Sequence, residues 1–138
     1  VVNHHSIMVR SKKVDKKINP EEYDFEYSKK LFEKYYNNLI KDVKDIVEQV
    51  GTNKVYLFGA HIFSQIYLNL GLSEDNIISI LDNNTQKQGN RLYGTNLTID
   101  SSKVLESCVD PVVIMRAGSY TNEIVRSIMK INNTTIFY

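Results

Sequence analysis

The sequence has too little cysteine, too little net charge and too few apolar runs for several common classes of protein. A single cysteine, Cys108, cannot form a disulfide within the chain, so we expect a reducing compartment and a cytoplasmic protein. The net charge of +1 gives no reason to expect a nucleic-acid or membrane-surface partner. No apolar run approaches the roughly 20 residues of a membrane span. The first residues also lack the apolar stretch of a signal peptide.

Two kinds of reactive site are also missing from the sequence. His4 and His5 are far from the remaining histidine and from the lone cysteine, so no zinc-ligand spacing exists and we expect no metal. No nucleophile–base pair can be recognised either, so we predict no catalytic residue in this chain. Cys108 is expected to pack as a small apolar residue.

Apolar runs alternate with amphipathic stretches from residue 54 onward. Continuous apolar runs predict strands at 55–58, 77–81, 111–115 and 134–138. Helices are predicted at 61–70, at 101–107 with Ser101 as cap, and at 121–130. A short extended piece is expected at 97–99. Strands that alternate with helices form parallel sheets, so the predicted fold class is α/β: a Rossmann-like three-layer domain with a mostly parallel sheet.

An amphipathic helical segment precedes this alternation. Asn19 and Pro20 are typical of a helix start and Gly51 of a helix end, so one or two helices are predicted over residues 20–50. Their apolar stripe consists of Phe32, Tyr36, Leu39, Val43, Ile46 and Val50. We expect this stripe to pack on the domain, on a partner domain or in a homodimer. The apolar face of the helix at 61–70 is predicted to be Ile62, Ile66 and Leu70.

The first 19 residues are expected to be the end of an upstream domain or a linker. A short apolar run at 7–10 predicts an isolated N-terminal strand, which is not stable alone. The lysine-rich stretch after it is interpreted as solvated linker. The domain proper, including its leading helices, is predicted over residues 20–138.

Ligands of open parallel sheets bind beyond the carboxyl ends of the strands. That rule selects three segments, 59–61, 82–84 and 116–120, which are expected to meet along one rim. Gly59 allows a tight turn, and the amides of the following helix can hold an anion, although the full G-x-G-x-x-G fingerprint is missing. The alternative is that Gly59 and Ala60 only let the helix pack against the strand.

Side chains on this rim have both a binding and a structural interpretation. Asp82 follows the second strand where a dinucleotide-binding fold places an acid for ribose hydroxyls, or it merely ends the strand in a turn. His61 is a candidate general base or ligand contact. Arg116 is expected to pair with an acid such as Asp82 or Glu123, or to meet an anionic ligand. Tyr93 and Tyr120 have two possible roles: each could stack on a base or sugar, or cover the core.

The run from Ile80 to Thr95 resembles the C-terminal domain of SAM-dependent C-methyltransferases that act on nucleotide-linked sugars. That family has Tyr/Phe-Gly-Ala after a strand, then Asp with Lys-Gln-Gly a few residues on, a Tyr-Gly turn and a late Glu-Ile. The similar residues here are Phe58-Gly59-Ala60, Asp82, Lys87-Gln88-Gly89, Tyr93-Gly94 and Glu123-Ile124. Many relatives carry a lysine shortly after Gly-Ala, where this chain has His61 and Ile62.

The resemblance implies a substrate-side or structural domain that is not catalytic alone. It would position a sugar nucleotide against an upstream SAM-binding domain; SAM is implied for the full enzyme, with no cofactor bound by this chain. The implied ligand contacts are Gly59, Ala60, His61, Asp82, Lys87, Arg91, Arg116, Tyr120 and Glu123. Lys87 and Arg91 on one loop suit a diphosphate, and a solvated loop explains them equally. A stand-alone nucleotide-binding module and a dimerisation domain remain alternatives.

Overall fold

The structure, a computed structural model, describes residues 25–138, which form one parallel sheet with helices on both faces. The α-helices in this part of the chain are α1 (Phe25–Val50), α2 (Ile62–Asn69) and α3 (Thr121–Ile131). The strands are β1 (Val55–Phe58), β2 (Ile77–Leu81), β3 (Ile99–Asp100), β4 (Val112–Met115) and β5 (Ile136–Phe137). Short 3₁₀ helices occupy Glu74–Asn76, Ser102–Ser107 and Gly118–Tyr120. The strand predicted at 7–10, the helix start at 19–22 and the domain boundary at residue 19 lie outside the described residues.

The sheet has the order β3-β2-β1-β4-β5, and every neighbouring pair is parallel. From β1 the chain builds outward on one side through β2 and β3, then crosses back to β4 on the other side of β1. The order therefore reverses between β1 and β4, and this is the topological switch point at which such sheets bind ligands. The predicted α/β class with a mostly parallel sheet is confirmed.

Two apolar cores lie on opposite faces of the sheet. In β1, Val55 and Leu57 belong to the core under α1 and α2, whereas Tyr56 and Phe58 belong to the core under α3. All four are buried, because a central parallel strand is covered on both faces, and this is why its sequence is continuously apolar. The three-layer arrangement of the prediction is thus confirmed.

Most predicted elements form within a residue or two of the expected bounds. The extended piece predicted at 97–99 is β3, and the brief helix at 101–107 is of the 3₁₀ type. Its predicted cap is present, because the Ser101 hydroxyl accepts a hydrogen bond from the Lys103 amide at 3.3 Å. Cys108 is a half-buried free thiol that packs against the α3 core, with its Sγ 3.4 Å from the Tyr56 hydroxyl.

Two predicted apolar faces pack on the sheet only in part. In α1, Val43, Ile46 and Val50 are buried as expected, but Phe32 is 67% and Tyr36 is 44% exposed. The 26-residue helix is about 39 Å long, and the strands it covers are much shorter, so its first half extends past the core. No helix in residues 25–138 is both long and apolar enough to cross a lipid bilayer.

The second of these faces is that of α2, whose buried residues are Ser64 and Tyr67. Ile62, predicted to face the core, is 61% exposed. The helix is turned this way because the Ser64 hydroxyl donates a hydrogen bond to the Gly59 carbonyl at the start of the helix. Gly71 directly follows the C-cap of α2 with a φ of +123°, so the predicted helix end is confirmed.

Candidate functional site

A cavity of about 440 Å³ opens at the switch point, where the carboxyl ends of β1, β2 and β4 meet. We call it the switch-point cavity. Of the residues predicted as ligand contacts, those that line it are Gly59, His61, Asp82, Lys87, Arg116 and Tyr120. Its apolar walls are Phe58, Ile62, Phe63 and Ile124. Larger hollows of about 570 and 530 Å³ lie along α2 and near residues 106–110 and 129–134, and neither lies at the switch point.

The turn between β1 and α2 requires glycine at position 59. Gly59 has a φ of +105°, and the His61 imidazole lies so close that a Cβ on Gly59 would overlap its ring. The Gly59 amide donates to the Leu81 carbonyl at 2.7 Å, which ties the turn to β2. The histidine ring therefore fills the space above the glycine, next to the switch-point cavity.

Three amides of the β1–α2 turn and of the start of α2 already have partners within the chain. The Ala60 amide donates to Asp82 Oδ2 at 2.9 Å, and the Phe63 amide donates to His61 Nδ1 at 3.3 Å. The Ser64 amide donates to the His61 carbonyl at 3.1 Å. These three amides are therefore not free to hold an anion, because they close the turn and cap the helix instead.

Asp82 acts as a connector between β2 and the β1–α2 turn. Besides the Ala60 amide, it accepts from Lys87 Nζ at 3.0 Å and from the Asn84 amide at 2.8 Å. Burial alone would raise the pKa of Asp82, but the hydrogen bonds from Asn84, Lys87 and Ala60 outweigh it and lower the pKa. The carboxylate is thus ionised and engaged on both oxygens.

The Lys-Gln-Gly run closes the loop that follows β2. Lys87 Nζ also donates to the Ala60 carbonyl at 2.9 Å, and Nε2 of the Gln88 side chain donates to the Asp82 carbonyl at 2.8 Å. Gly89 has a φ of +79° and donates its amide to the Ile99 carbonyl at 2.8 Å, at the start of β3. Each residue of the run therefore has a specific structural contact.

His61 is held as a neutral side chain at the edge of the cavity. Burial lowers its pKa and the Lys87 charge lowers it further, while Asp82 opposes both. Because Nδ1 accepts from the Phe63 amide, we assign the proton of the neutral ring to Nε2. His61 can therefore offer an N–H donor at neutral pH, in addition to capping α2.

Arg116 has a different partner from those predicted. Its Nη2 lies 3.1 Å from Asp42 Oδ2 on α1, its Nε donates to the Tyr67 hydroxyl, and its Cζ lies 5.7 Å from the centroid of the Tyr67 ring. The predicted pairing with Asp82 or Glu123 is wrong, because Asp82 is engaged by Lys87 and Glu123 is exposed on α3. Burial raises the pKa of Tyr67, against the opposing Arg116 charge, so the hydroxyl stays protonated.

No sequence pattern pointed to Asp42 or Tyr67 as partners of Arg116. Asp42 lies 74 residues from Arg116 in the chain, and its own surroundings in α1 are those of any solvated helical acid. Tyr67 lies on the face of α2 that the apolar pattern did not select. Arg116 also borders a second hollow of about 300 Å³ between α1 and α2, whose lining includes both residues.

The remaining predicted contacts are spread around the cavity. Ala60 and Arg91 line an adjoining hollow of about 340 Å³, and Arg91 Nη1 donates to Asn96 Oδ1 at 3.2 Å. Glu123 does not line the switch-point cavity. Tyr93 is 87% exposed, so it does not cover the core. Among residues 25–138, no three His, Cys, Asp or Glu side chains are grouped closely enough to hold a metal ion.

Comparison with known proteins gives a family for this fold and site. A family model described as C-methyltransferase C-terminal domain matches residues 4–136 of the 138-residue chain. No curated protein and no solved structure matches the chain. The family match spans α1, β1 to β4 and the switch-point cavity, and it ends at the first residue of β5. The chain therefore belongs to the family of C-methyltransferase C-terminal domains.

Proposed function

We propose that this chain is the substrate-side domain of a SAM-dependent C-methyltransferase and that its switch-point cavity receives a nucleotide-linked sugar. The observation that carries the proposal is the cavity itself. It lies where parallel sheets of this topology bind ligands, it has apolar walls, and it contains the Arg116 cation. A volume of about 440 Å³ is also within the range of small-molecule sites.

The chemistry of the lining matches the parts of such a ligand. Phe58, Phe63 and Ile124 offer apolar surface for a base or a sugar face, and Tyr120 borders the same space. Arg116 supplies the positive charge that a diphosphate requires. In this proposal Asp82 and Lys87 shape the wall rather than bind the ligand directly, because both oxygens of Asp82 and two of the three Lys87 N–H donors are already used within the chain.

The residues present do not fit a cofactor bound in the Rossmann manner. SAM, when bound, supplies the methyl group that a C-methyltransferase transfers. The imidazole of His61 fills the space above Gly59, and the Ala60 amide and both oxygens of Asp82 are already engaged. The methyl donor therefore belongs on the partner domain that family membership implies, and this chain would hold the acceptor in position.

The occupied groups of the β1–α2 turn also argue against a stand-alone nucleotide-binding module of the NAD type. Such a module needs free turn amides for the pyrophosphate and a free acid for the ribose hydroxyls. In this chain the Asp82 carboxylate and the turn amides of Ala60, Phe63 and Ser64 bind one another or neighbouring groups.

One observation favours an additional interface function. The first half of α1 exposes a run of large apolar side chains: Phe25, Tyr27, Leu31, Phe32, Tyr35 and Tyr36. The rings of Phe32 and Tyr36 stack on the surface, with centroids 6.1 Å apart. An exposed apolar surface of this kind is typical of a docking face for another domain or a second copy. A homodimer would give a concentration-dependent mass by analytical ultracentrifugation, and Phe32→Ser would remove that dependence.

The substrate proposal is tested by NMR on the full 138-residue chain labelled with ¹⁵N. UDP-glucose, dTDP-glucose, GDP-mannose, SAM and NAD would be added in turn. We expect amide shifts at Gly59, Gly118 and Tyr120 with a sugar nucleotide and not with SAM. Shifts specific to NAD would instead support a nucleotide-binding module. An unchanged spectrum with every compound would leave a purely structural or dimerisation role.

A further inference from the structure

The three cations expected near the ligand are not equivalent in the structure. Lys87 already uses two of its N–H donors on Asp82 and the Ala60 carbonyl, at 3.0 and 2.9 Å. Arg91 lines the adjoining hollow rather than the switch-point cavity, and it bonds to Asn96. Arg116 follows directly after β4 and lines the switch-point cavity. It is therefore the cation best placed to meet an anionic group there.

The contacts of Arg116 leave one edge of its guanidinium group unused. A guanidinium has five N–H donors in a rigid planar fork. The Nε donor goes to the Tyr67 hydroxyl and an Nη2 donor goes to Asp42, so both anchors lie on the same edge of the group. Among residues 25–138, the structure gives no partner to the donors of the other edge, formed by Nη1 and the second Nη2 hydrogen. Two parallel donors of this kind match two phosphate oxygens.

We propose that Asp42 and Tyr67 are positioning residues that hold Arg116 so that its Nη1–Nη2 edge binds the diphosphate of the ligand. This inference rests on the proposed function and assigns its anion contact to one side chain. Tyr67 is 1% exposed, so its hydroxyl is a fixed acceptor for Nε of the guanidinium group. Asp42, from α1, fixes the rotation of the group about its long axis.

Stability alone does not account for the Asp42 contact. The side chains of Arg116 and Asp42 are 44% and 49% exposed, and ion pairs that exposed stabilise a fold very little. Asp42→Asn is therefore expected to fold normally, and it can report on orientation. The sign of its effect is informative, because the negative charge of Asp42 repels an anion. An electrostatic role alone would make Asp42→Asn bind a diphosphate more tightly, whereas a positioning role makes it bind more weakly.

The test measures dissociation constants of UDP and dTDP for the full 138-residue chain by NMR titration, with uridine and thymidine as neutral counterparts. We expect Asp42→Asn and Tyr67→Phe each to weaken diphosphate binding by about 3- to 10-fold, since the freed arginine must be ordered on binding. Arg116→Gln is expected to weaken it by about 10-fold or more, because a charge-assisted contact is lost. Binding of the neutral nucleosides is expected to stay unchanged.

Two controls separate positioning from general effects. Asp45→Asn removes the same charge three residues further along α1, where the side chain is exposed, and is expected to leave diphosphate binding unchanged or slightly stronger. In an Arg116→Gln background, Asp42→Asn is expected to have no further effect. The side-chain Nε–H signal of Arg116 gives an independent readout, and Tyr67→Phe is expected to shift and broaden it.

The outcomes distinguish this inference from the proposed function. If the wild-type chain binds UDP or dTDP with shifts at Gly59 and Tyr120, but Asp42→Asn matches the wild type or binds more tightly, only the positioning role is overturned. Equal losses for nucleosides and diphosphates would overturn it as well. A wild-type chain that binds no nucleotide or sugar nucleotide would overturn both proposals.

Discussion

Removal of the Asp82 carboxylate is the perturbation for which the structure makes the sharpest prediction. The residue is 9% exposed and accepts hydrogen bonds from the Ala60 amide, the Asn84 amide and Lys87 Nζ. In Asp82→Ala the two amides lose their acceptor. Lys87, whose side chain is 39% exposed, recovers part of its hydration. A hydrogen bond that involves a charged group contributes about 1.5–3 kcal/mol, and the partial rehydration lowers the sum. We therefore expect a loss of about 2–4 kcal/mol in the free energy of unfolding.

The assay is urea denaturation followed by circular dichroism at pH 7, with Glu48→Ala as the matched control. Glu48 is an exposed acid on α1, and its replacement is expected to change the free energy of unfolding by less than about 0.5 kcal/mol. Asp82→Asn keeps one acceptor oxygen, so its loss in the free energy of unfolding is expected to lie between those of Glu48→Ala and Asp82→Ala. Lys87→Met is expected to lower the free energy of unfolding less in the Asp82→Ala background than in the wild type, because the two side chains belong to one hydrogen-bond network.

The pH dependence of this effect provides a second check. The lowered pKa of Asp82 means that its stabilising contribution is fully present above its ordinary value of about 3.9 and is lost as the pH falls through the folded-state value. The difference between wild type and Asp82→Ala is therefore expected to shrink in acid. A loss below about 0.5 kcal/mol at pH 7 would refute the connector role of Asp82.

Further predictions concern the β1–α2 turn. Because the pKa of His61 is lowered in the folded state, the unfolded chain takes up its proton first, and the free energy of unfolding is expected to fall as the pH drops below about 6.5. His61→Gln is expected to weaken this dependence of the free energy of unfolding on pH. A pH dependence equal to that of the wild type would contradict a lowered pKa of His61 in the folded state. Gly59→Ala is expected to cost more stability than Gly71→Ala in urea denaturation. Both glycines have a positive φ, but only at Gly59 would the new Cβ overlap a side chain. Equal losses would show that the His61 ring simply moves aside.

The sheet could be predicted from sequence because its signals are local. Strands such as β1 and β4 are buried on both faces, so each is a continuous apolar run, and a turn or loop residue follows each of them. The rule that ligands bind at the carboxyl ends of parallel strands then selected the segments that line the switch-point cavity. Neither step needed any knowledge of side-chain partners.

The chemistry of the rim was predicted less well because partners depend on tertiary packing. Asp82 is a reasonable ribose ligand by position, but the nearby Ala60 amide and Lys87 take up its oxygens. Arg116 has acids closer in sequence than Asp42, yet α1 crosses the sheet so that Asp42 reaches it. The apolar periodicity of α2 likewise selected Ile62 rather than Tyr67 for the buried face. A periodic pattern shows which residues are apolar, but it does not show which face of the helix meets the sheet.

The helix α1 connects the two functions that we propose for this chain. Its last half packs on the sheet through Val43, Ile46 and Val50, and its first half exposes the apolar face that includes Phe32. Asp42 lies between these two parts and contacts Arg116 at the rim. A partner that binds the exposed half would therefore contact the same helix that, in our proposal, positions Arg116 through Asp42. In an enzyme whose methyl donor and acceptor are held by different domains, this arrangement would link correct docking of the partner to a correctly held substrate.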